Sequence, residues 1–206
     1  MTGYNTIARP AMAEHVEKRS RFISLAAPVS TEKDALTLLE QTRSEHREAT
    51  HNCYAYILRT GSLTRYSDDG EPGGTAGMPI LEVIRRRELF DVMVIVTRYF
   101  GGTLLGAGGL VRAYSTGASL ALDAAEILAL HPCILFSLEI PYHNYGKLQN
   151  ILPGFGIKIV EEDFAEHVRL RLRIRAERLD AFQKELSEMT AGSVAPVVTG
   201  ETLAPD

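Results

Sequence analysis

The chain has 206 residues, a formal net charge of −4 and only two cysteines, Cys53 and Cys133. Its content of 45% hydrophobic and 23% charged residues is typical of globular proteins and argues against disorder. The acidic balance argues against a protein that coats nucleic acid through bulk charge. No apolar run approaches the length of about 18 residues that a membrane helix needs, and no signal peptide is recognisable, so we expect a cytoplasmic protein without a membrane partner.

The first half of the chain predicts alternating helices and strands. A hydroxyl cap at residues 30–31 precedes an amphipathic pattern, and small residues after Leu110 recur at helical spacing. Residues 78–87 favour a helix, although their apolar residues also fit a strand. The predicted elements are, in order, a helix from 31 to about 46, strands over 52–58 and up to about 67, a helix over 78–87, a strand over 92–96 and a helix over 110–125.

The second half has a different pattern. Pro132 follows His131, and a residue before proline avoids the helical region, so we place a domain boundary there, with domains 1–131 and 132–206. The order βαββαβ that follows is typical of a ferredoxin-like domain, and the whole chain is therefore predicted to be α+β with two domains. The elements are a strand over 133–140, a helix over 143–152, strands over 157–162 and 167–174, a helix over 176–189 and a strand over 193–199.

Glycine is concentrated in two short segments. Nine of the 17 glycines lie between Gly70 and Gly109. Because glycine is useful where the backbone needs positive φ or a close approach, we expect these segments to converge as a shaped surface that binds a ligand or partner. The candidate binding residues are Asp68, Asp69, Glu71, Thr75, Arg98, Tyr99, Gly101, Gly102, Gly108, Gly109 and Arg112.

Each part of this surface has a structural alternative. The carboxylates of Asp68, Asp69 and Glu71 can cap their own backbone, pair with an arginine, or hold a cation, although the EF-hand spacing is absent. Residues 101–109 can hold an anion on their amides or only pack on a sheet, and neither a Walker lysine nor a GxGxxG is present. Arg98 and Arg112 can therefore contact a ligand or tie down the acidic turn.

Two tyrosines and a histidine–cysteine pair also have a functional and a structural interpretation. If Tyr99 and Tyr114 are exposed beside the arginines, they form a patch able to stack a base or grip an acidic motif. His51 lies two positions from Cys53, but no third group orients them for catalysis. We interpret His51 as a strand histidine capped by a carbonyl, and both cysteines as buried apolar residues.

Four arginines alternate with apolar residues over 169–175, so they should line one face of a sheet. Such a stripe is a possible RNA contact, although the aromatic residues that stack bases are missing. Acidic residues over 161–166 can instead pair with it across the hairpin and leave a charge-balanced face. The residues of this candidate contact are Arg169, Arg171, Arg173 and Arg175.

The glycine-rich strings resemble the signature of the IMPACT family, in particular its bacterial YigZ-like members. The resemblance rests on residues 68–77, 96–102 and 105–114, preceded by 49–56 and 18–23. It implies an amino-terminal domain similar to the second domain of ribosomal protein S5, and a ferredoxin-like domain related to the last domain of a translocation elongation factor. It also implies a role near translational control, because eukaryotic relatives bind a translation-associated activator of a stress kinase.

We therefore predict a non-enzymatic cytoplasmic binding protein of translation or its stress regulation, which contacts RNA, the ribosome or a translation factor. We expect no cofactor and no metal. The rival prediction is a phosphate- or nucleotide-binding enzyme that uses the glycine-rich loop, with the turn of Asp68, Asp69 and Glu71 as metal ligand or base. A peptidase is a third alternative, for which no catalytic set can be assembled.

Overall fold

The computed structural model describes all 206 residues and divides into two compact units. The amino-terminal unit is Tyr4–Leu128, and the carboxy-terminal unit is Ala129–Asp206 together with Met1–Gly3. The division thus falls shortly before the predicted boundary at residue 131. Both units combine a sheet with helices, which makes the protein α+β. None of the helices has the length and apolar character required to cross a membrane.

The amino-terminal unit is built on an antiparallel sheet in the order β2-β3-β6-β4-β5. The predicted helices and strands are confirmed, including the helix over 78–87, whereas the strands before residue 29 were not predicted. The elements are β1 (Tyr4–Ile7), β2 (Ala11–Glu17), β3 (Ser20–Pro28), α1 (Glu32–Glu45), β4 (His51–Leu58), β5 (Leu63–Ser67), α2 (Gly77–Arg86), β6 (Val92–Tyr99) and α3 (Ala107–Ala124).

Helix α1 begins where the sequence predicts. Thr31 Oγ1 accepts a hydrogen bond from the backbone N–H of Asp34 at 3.1 Å, and the Asp34 carboxylate accepts one from the Thr31 N–H at 2.9 Å. This reciprocal pair satisfies two of the amides that a helix start leaves free.

Strand β6 lies in the middle of this sheet and is covered on both faces. Its even-numbered residues Val92, Val94 and Val96 belong to the core beneath α2 and α3, and Met93 and Ile95 belong to a separate core that includes residues of α1. Because strand side chains alternate between faces, the next even-numbered residue also points beneath α2 and α3. That residue is Arg98.

The carboxy-terminal unit has the order βαββαβ, with the strands arranged β10-β7-β9-β8 in an antiparallel sheet. This is the predicted ferredoxin-like pattern. Its last strand begins later than predicted, at Val197 instead of 193. The elements are β7 (Ile127–Ile140), α4 (Tyr142–Ile151), β8 (Lys158–Phe164), β9 (Val168–Arg175), α5 (Leu179–Thr190) and β10 (Val197–Ala204).

Strand β9 shows the alternation that its sequence predicts. Leu170, Leu172 and Ile174 are buried in a core with Phe182 and Leu186 of α5, while the arginines between them point the other way. Strand β8 pairs only with β9 and is therefore an edge, and all seven of its residues are exposed.

Candidate functional site

Arg98 carries a charge into the core of the amino-terminal unit. It stands opposite His51 of β4 and Phe22 of β3 in the sheet register, and 5% of its surface is exposed. Its Nη1 donates to Glu71 Oε1 at 2.6 Å, and its Nη2 donates to Ser20 Oγ at 3.2 Å. A buried guanidinium needs such partners because the loss of hydration is costly.

Glu71 joins several polar groups into one network. Besides Arg98, its Oε1 accepts a 2.7 Å hydrogen bond from the Tyr114 hydroxyl, and His51 Nε2 lies 3.9 Å away. Burial raises the pKa of Tyr114, and its neighbours Cys53 and Glu71 raise it further, so the phenol stays a hydrogen-bond donor. The second carboxylate oxygen, Glu71 Oε2, has no hydrogen-bond partner in the protein.

The acidic turn is held mainly by Asp68, whose carboxylate serves the backbone. Asp68 Oδ1 accepts hydrogen bonds from the N–H groups of Ala76 and Gly77 at 3.0 and 2.8 Å, and Oδ2 accepts one from Gly74 at 2.9 Å. The residue that precedes helix α2 does not cap it with a side chain. The carboxylate of Asp68, which lies several residues earlier in the chain, accepts the hydrogen bonds of the first amides instead. This carboxylate is not free to act as a metal ligand or a base.

Asp69 is also used within the protein. Its Oδ1 accepts from Arg43 at 2.6 Å, its Oδ2 accepts from the Asn52 N–H at 2.7 Å, and its carbonyl lies 2.8 Å from His51 Nδ1. A carbonyl can only accept, so Nδ1 of His51 carries the proton and Nε2 keeps its lone pair in the neutral ring. The predicted carbonyl cap on His51 is therefore confirmed. The three carboxylates form no group that could hold a metal ion.

Cys53 is a buried thiol, as predicted. It donates to the Asp68 carbonyl at 3.0 Å, and burial raises its pKa to about 12. Since the thiolate is the reactive form, Cys53 is not activated as a nucleophile. Cys133 is likewise free and buried.

The two glycine-rich segments meet around an open cavity of about 360 Å³. Glu71 and Pro72 of the first segment line it together with residues 104–107 of the second. Arg98 and His51 also line it, so the charged network and the cavity form one site. Its border includes exposed apolar side chains, with Leu104 84% and Phe100 45% exposed.

The amino terminus of α3 opens onto the same cavity. Gly106 precedes the helix with a φ of 72°, a conformation that favours glycine, and provides no side-chain cap. The first intrahelical bond is donated by the Leu110 N–H, so the amides of Ala107, Gly108 and Gly109 have no partner within the helix. Gly106, Ala107 and Leu110 line the cavity.

Several predicted site residues have other roles. Tyr114 is completely buried and cannot stack a base, and Tyr99 is half-buried with its hydroxyl 2.9 Å from His46 Nδ1. Arg112 is exposed on α3 without an ion pair and does not tie down the acidic turn. Thr75 is buried and donates its hydroxyl hydrogen to the Pro72 carbonyl at 2.6 Å.

The predicted glycines divide into packing and open positions. A Cβ on Gly101 would lie 2.0 Å from the Arg19 carbonyl oxygen, so this glycine allows two backbones to touch. Gly109 faces Leu105 closely, with 3.0 Å between the added Cβ and the Leu105 Cβ. Gly102 has positive φ and open space, and Gly108 has only the Arg112 side chain nearby.

The arginine stripe of β9 is partly neutralised, but not by the residues expected. Arg169 pairs with Glu139 of β7 at 3.5 Å, and Arg175 pairs with Asp206 and Glu177. Arg173 donates to the Pro205 carbonyl, and Arg171 makes no ion pair. The acidic residues of β8 stand opposite the stripe in the register without forming ion pairs with it.

Sequence reasoning missed part of the site. Ser20, Thr50, Pro72 and Leu104 were not among the predicted binding residues, because they become neighbours only through the sheet and the two turns. The burial of Arg98 did have a signal, because the unbroken apolar run before it in β6 indicates a strand covered on both faces.

Comparisons with known proteins cover most of the chain. Residues 18–122 match the Impact N-terminal domain, and residues 138–193 match a domain of unknown function (DUF1949). The chain is 36% identical to the IMPACT family member YvyE of Bacillus subtilis over 92% of this chain and 88% of that protein. It is 33% identical to the IMPACT family member YigZ of Escherichia coli over 91% of this chain and 93% of that protein.

Some other relatives match less than half of this chain. Protein IMPACT of Xenopus laevis is 34% identical over 44% of this chain and 30% of its own length. A solved structure described as the crystal structure of a hypothetical protein superposes with a TM-score of 0.62 at 31% identity, over 97% of this chain and 98% of the other. Matching sequence, domain order and structure together place this chain in the IMPACT family.

Proposed function

We propose that this protein is a non-enzymatic cytoplasmic binding protein of translation or its stress regulation, and that it contacts RNA through the cavity of the amino-terminal unit. The observation that carries the proposal is the convergence of two glycine-rich turns on one open cavity with an exposed apolar border. An exposed aromatic ring such as that of Phe100 is a surface on which bases stack. Membership of the IMPACT family supports the link with translation.

The chemistry of the acidic turn argues against the rival enzyme. Asp68 and Asp69 accept hydrogen bonds from backbone amides and Arg43, and Glu71 is paired with Arg98. A general base needs a carboxylate that can reach the substrate. Neither Asp68 nor Asp69 meets this requirement, because both oxygens of each carboxylate accept hydrogen bonds within the protein.

Ribosome co-sedimentation tests this proposal. We expect the wild-type protein to pellet with ribosomes, and Leu104→Ser with Phe100→Ala to pellet less, because both side chains border the cavity. Met12→Ser is the matched control, since Met12 is an exposed apolar residue of β2 that does not line the cavity. Equal pelleting of both variants would show that the cavity is not the contact.

The salt dependence of binding separates RNA from a protein partner. Contacts with phosphates release counterions, so the affinity for purified RNA should fall steeply with salt. A flat salt response, or pelleting that survives removal of exposed RNA by nuclease, would favour a protein surface and overturn the RNA contact.

A further inference from the structure

Arg98 brings unused hydrogen-bond donors to the cavity. A guanidinium has five N–H donors, and the protein offers acceptors to two of them, Glu71 Oε1 and Ser20 Oγ. Nε of Arg98 is buried and has no partner, although the residue is 5% exposed. Arg98 lines the cavity, and each of its Nη atoms donates only one hydrogen bond within the protein, so a ligand that supplies acceptors to the remaining Nη hydrogens is favoured.

The start of α3 adds further donors to the same cavity. The amides of Ala107, Gly108 and Gly109 are uncapped, and Gly106 and Ala107 line the cavity with Arg98. Free amides and the positive end of the helix dipole favour an anion at this position. A buried arginine with spare donors and an uncapped helix therefore converge from two parts of the chain.

The cavity also offers acceptors. Glu71 Oε2 has no partner in the protein, and in the His51 tautomer that donates from Nδ1 to the Asp69 carbonyl, Nε2 carries a lone pair. Both residues line the cavity. A carboxylate or sulfate ligand would be repelled by the negative charge of Glu71, and it has no hydrogen to donate to Glu71 or His51. The favoured ligand carries both an anion and a hydroxyl group.

We propose that the cavity binds a ribonucleotide through its 5′-phosphate monoester, with Arg98 and the first amides of α3 on the phosphate and Glu71 or His51 on a ribose hydroxyl. The proposal rests on the proposed contact with RNA and names the part of RNA that is recognised. The same chemistry is presented by the 5′ end of an RNA strand and by a free nucleoside monophosphate. Phe100, 45% exposed, provides the ring for the attached base.

Binding of labelled oligoribonucleotides to the full chain tests the proposal. The probes are one short strand with a 5′-phosphate, the same strand with a 5′-hydroxyl, and its 2′-deoxy version with a 5′-phosphate. We expect the phosphorylated strand to bind about tenfold more tightly than the hydroxyl strand, the factor that one hydrogen bond to a charged group supplies. The deoxy strand should bind more weakly than the ribose strand, because it lacks the 2′-hydroxyl.

A pair of variants at Gly108 isolates the phosphate contact without disturbing the core. Gly108 is exposed at the second helical position, and an added Cβ meets only the Arg112 side chain at 3.7 Å. Gly108→Glu places a carboxylate where an anion would bind, whereas Gly108→Gln has the same shape without the charge. Both replace a helical glycine, so we expect melting temperatures at or above that of the wild type.

The outcomes distinguish the proposed phosphate site from the more general proposal that the protein contacts RNA. Loss of the phosphate preference in Gly108→Glu and its retention in Gly108→Gln would support the site. Competition by adenosine 5′-monophosphate would show that the terminal nucleotide suffices, and a preference without such competition would identify the RNA end as the source. Equal binding of the phosphate and hydroxyl strands would overturn the site while RNA binding stands. Binding of adenosine 5′-monophosphate alone, with neither strand bound, would keep the phosphate site and refute the RNA contact.

Discussion

Arg98 and Glu71 form an ion pair of 2.6 Å in which 6% and 4% of the two side chains are exposed. The residues come from the end of β6 and from the turn between β5 and α2. The pair therefore fixes the acidic turn to the sheet, and it places a charged floor under the cavity.

Glu71→Gln should lower the free energy of unfolding by about 3 kcal/mol, because it leaves the Arg98 charge buried without a counter-ion. Urea denaturation measures this loss. Arg112→Ala is the control, since Arg112 is exposed and unpaired, and it should change stability by less than about 0.5 kcal/mol. Similar stability of the two variants would contradict a low-dielectric environment around the pair.

Gly101→Ala should destabilise the protein by about 2 kcal/mol, the usual cost of adding atoms to a filled space. The new Cβ would meet the Arg19 carbonyl and the Ser20 N–H at 2.0 and 2.6 Å, and neither is a flexible side chain. Gly73→Ala has open space and serves as the control, with stability unchanged or slightly raised. Thermal unfolding of both variants would reveal the difference, and equal melting temperatures would count against the close approach.

Stability should decrease as the pH falls below about 6.5, in part because of His15. Both ring nitrogens of His15 are buried without partners, the ring stacks on Phe22 at 4.9 Å, and burial lowers its pKa against a smaller opposite effect of Glu17. The unfolded chain therefore takes up a proton at a pH where the folded chain does not. His15→Phe should show a smaller loss of stability between about pH 7 and pH 5 in urea titrations. An unchanged pH dependence in this variant would exclude His15 as a cause.

Cys53 should resist alkylation in the native protein at neutral pH, because burial raises its pKa to about 12. Mass spectrometry after treatment with iodoacetamide should show modification of Cys53 only when denaturant is present. Rapid labelling of the folded chain at this residue would indicate an exposed or activated thiol.

Local patterns were sufficient to predict most of the fold. The capping residues Thr31 and Asp34, the apolar run of β6 and the alternation of β9 each predict an element that the structure contains. The strands before residue 29 were not predicted, because β2 has no fully buried residue and carries apolar side chains on its exposed side. Such a half-covered edge gives a weak periodic signal.

The site could be predicted only as a set of segments. Glycine density indicated that residues 68–77 and 101–109 form shaped turns, and the structure brings both to one cavity. The partners within the site depended on pairing across the sheet: Asp68 caps α2, Glu71 pairs with Arg98, and Asp69 pairs with Arg43. Each of the three carboxylates in this turn could pair with the same donors. Which carboxylate pairs with which donor is determined by tertiary contacts that the local sequence does not show.

The outermost strand of the carboxy-terminal sheet combines exposed apolar and acidic side chains. Strand β8 exposes Ile159, Val160 and Phe164 along an open backbone edge, which would invite another chain to add a strand. Glu161, Glu162 and Asp163 are consecutive residues of the same strand. In an antiparallel pairing of two copies centred on Glu162, Glu161 would stand opposite Asp163 and Glu162 opposite its own copy, and such like-charged neighbours destabilise the pairing. We therefore expect the acidic triplet to oppose edge-to-edge pairing of this domain with a second copy.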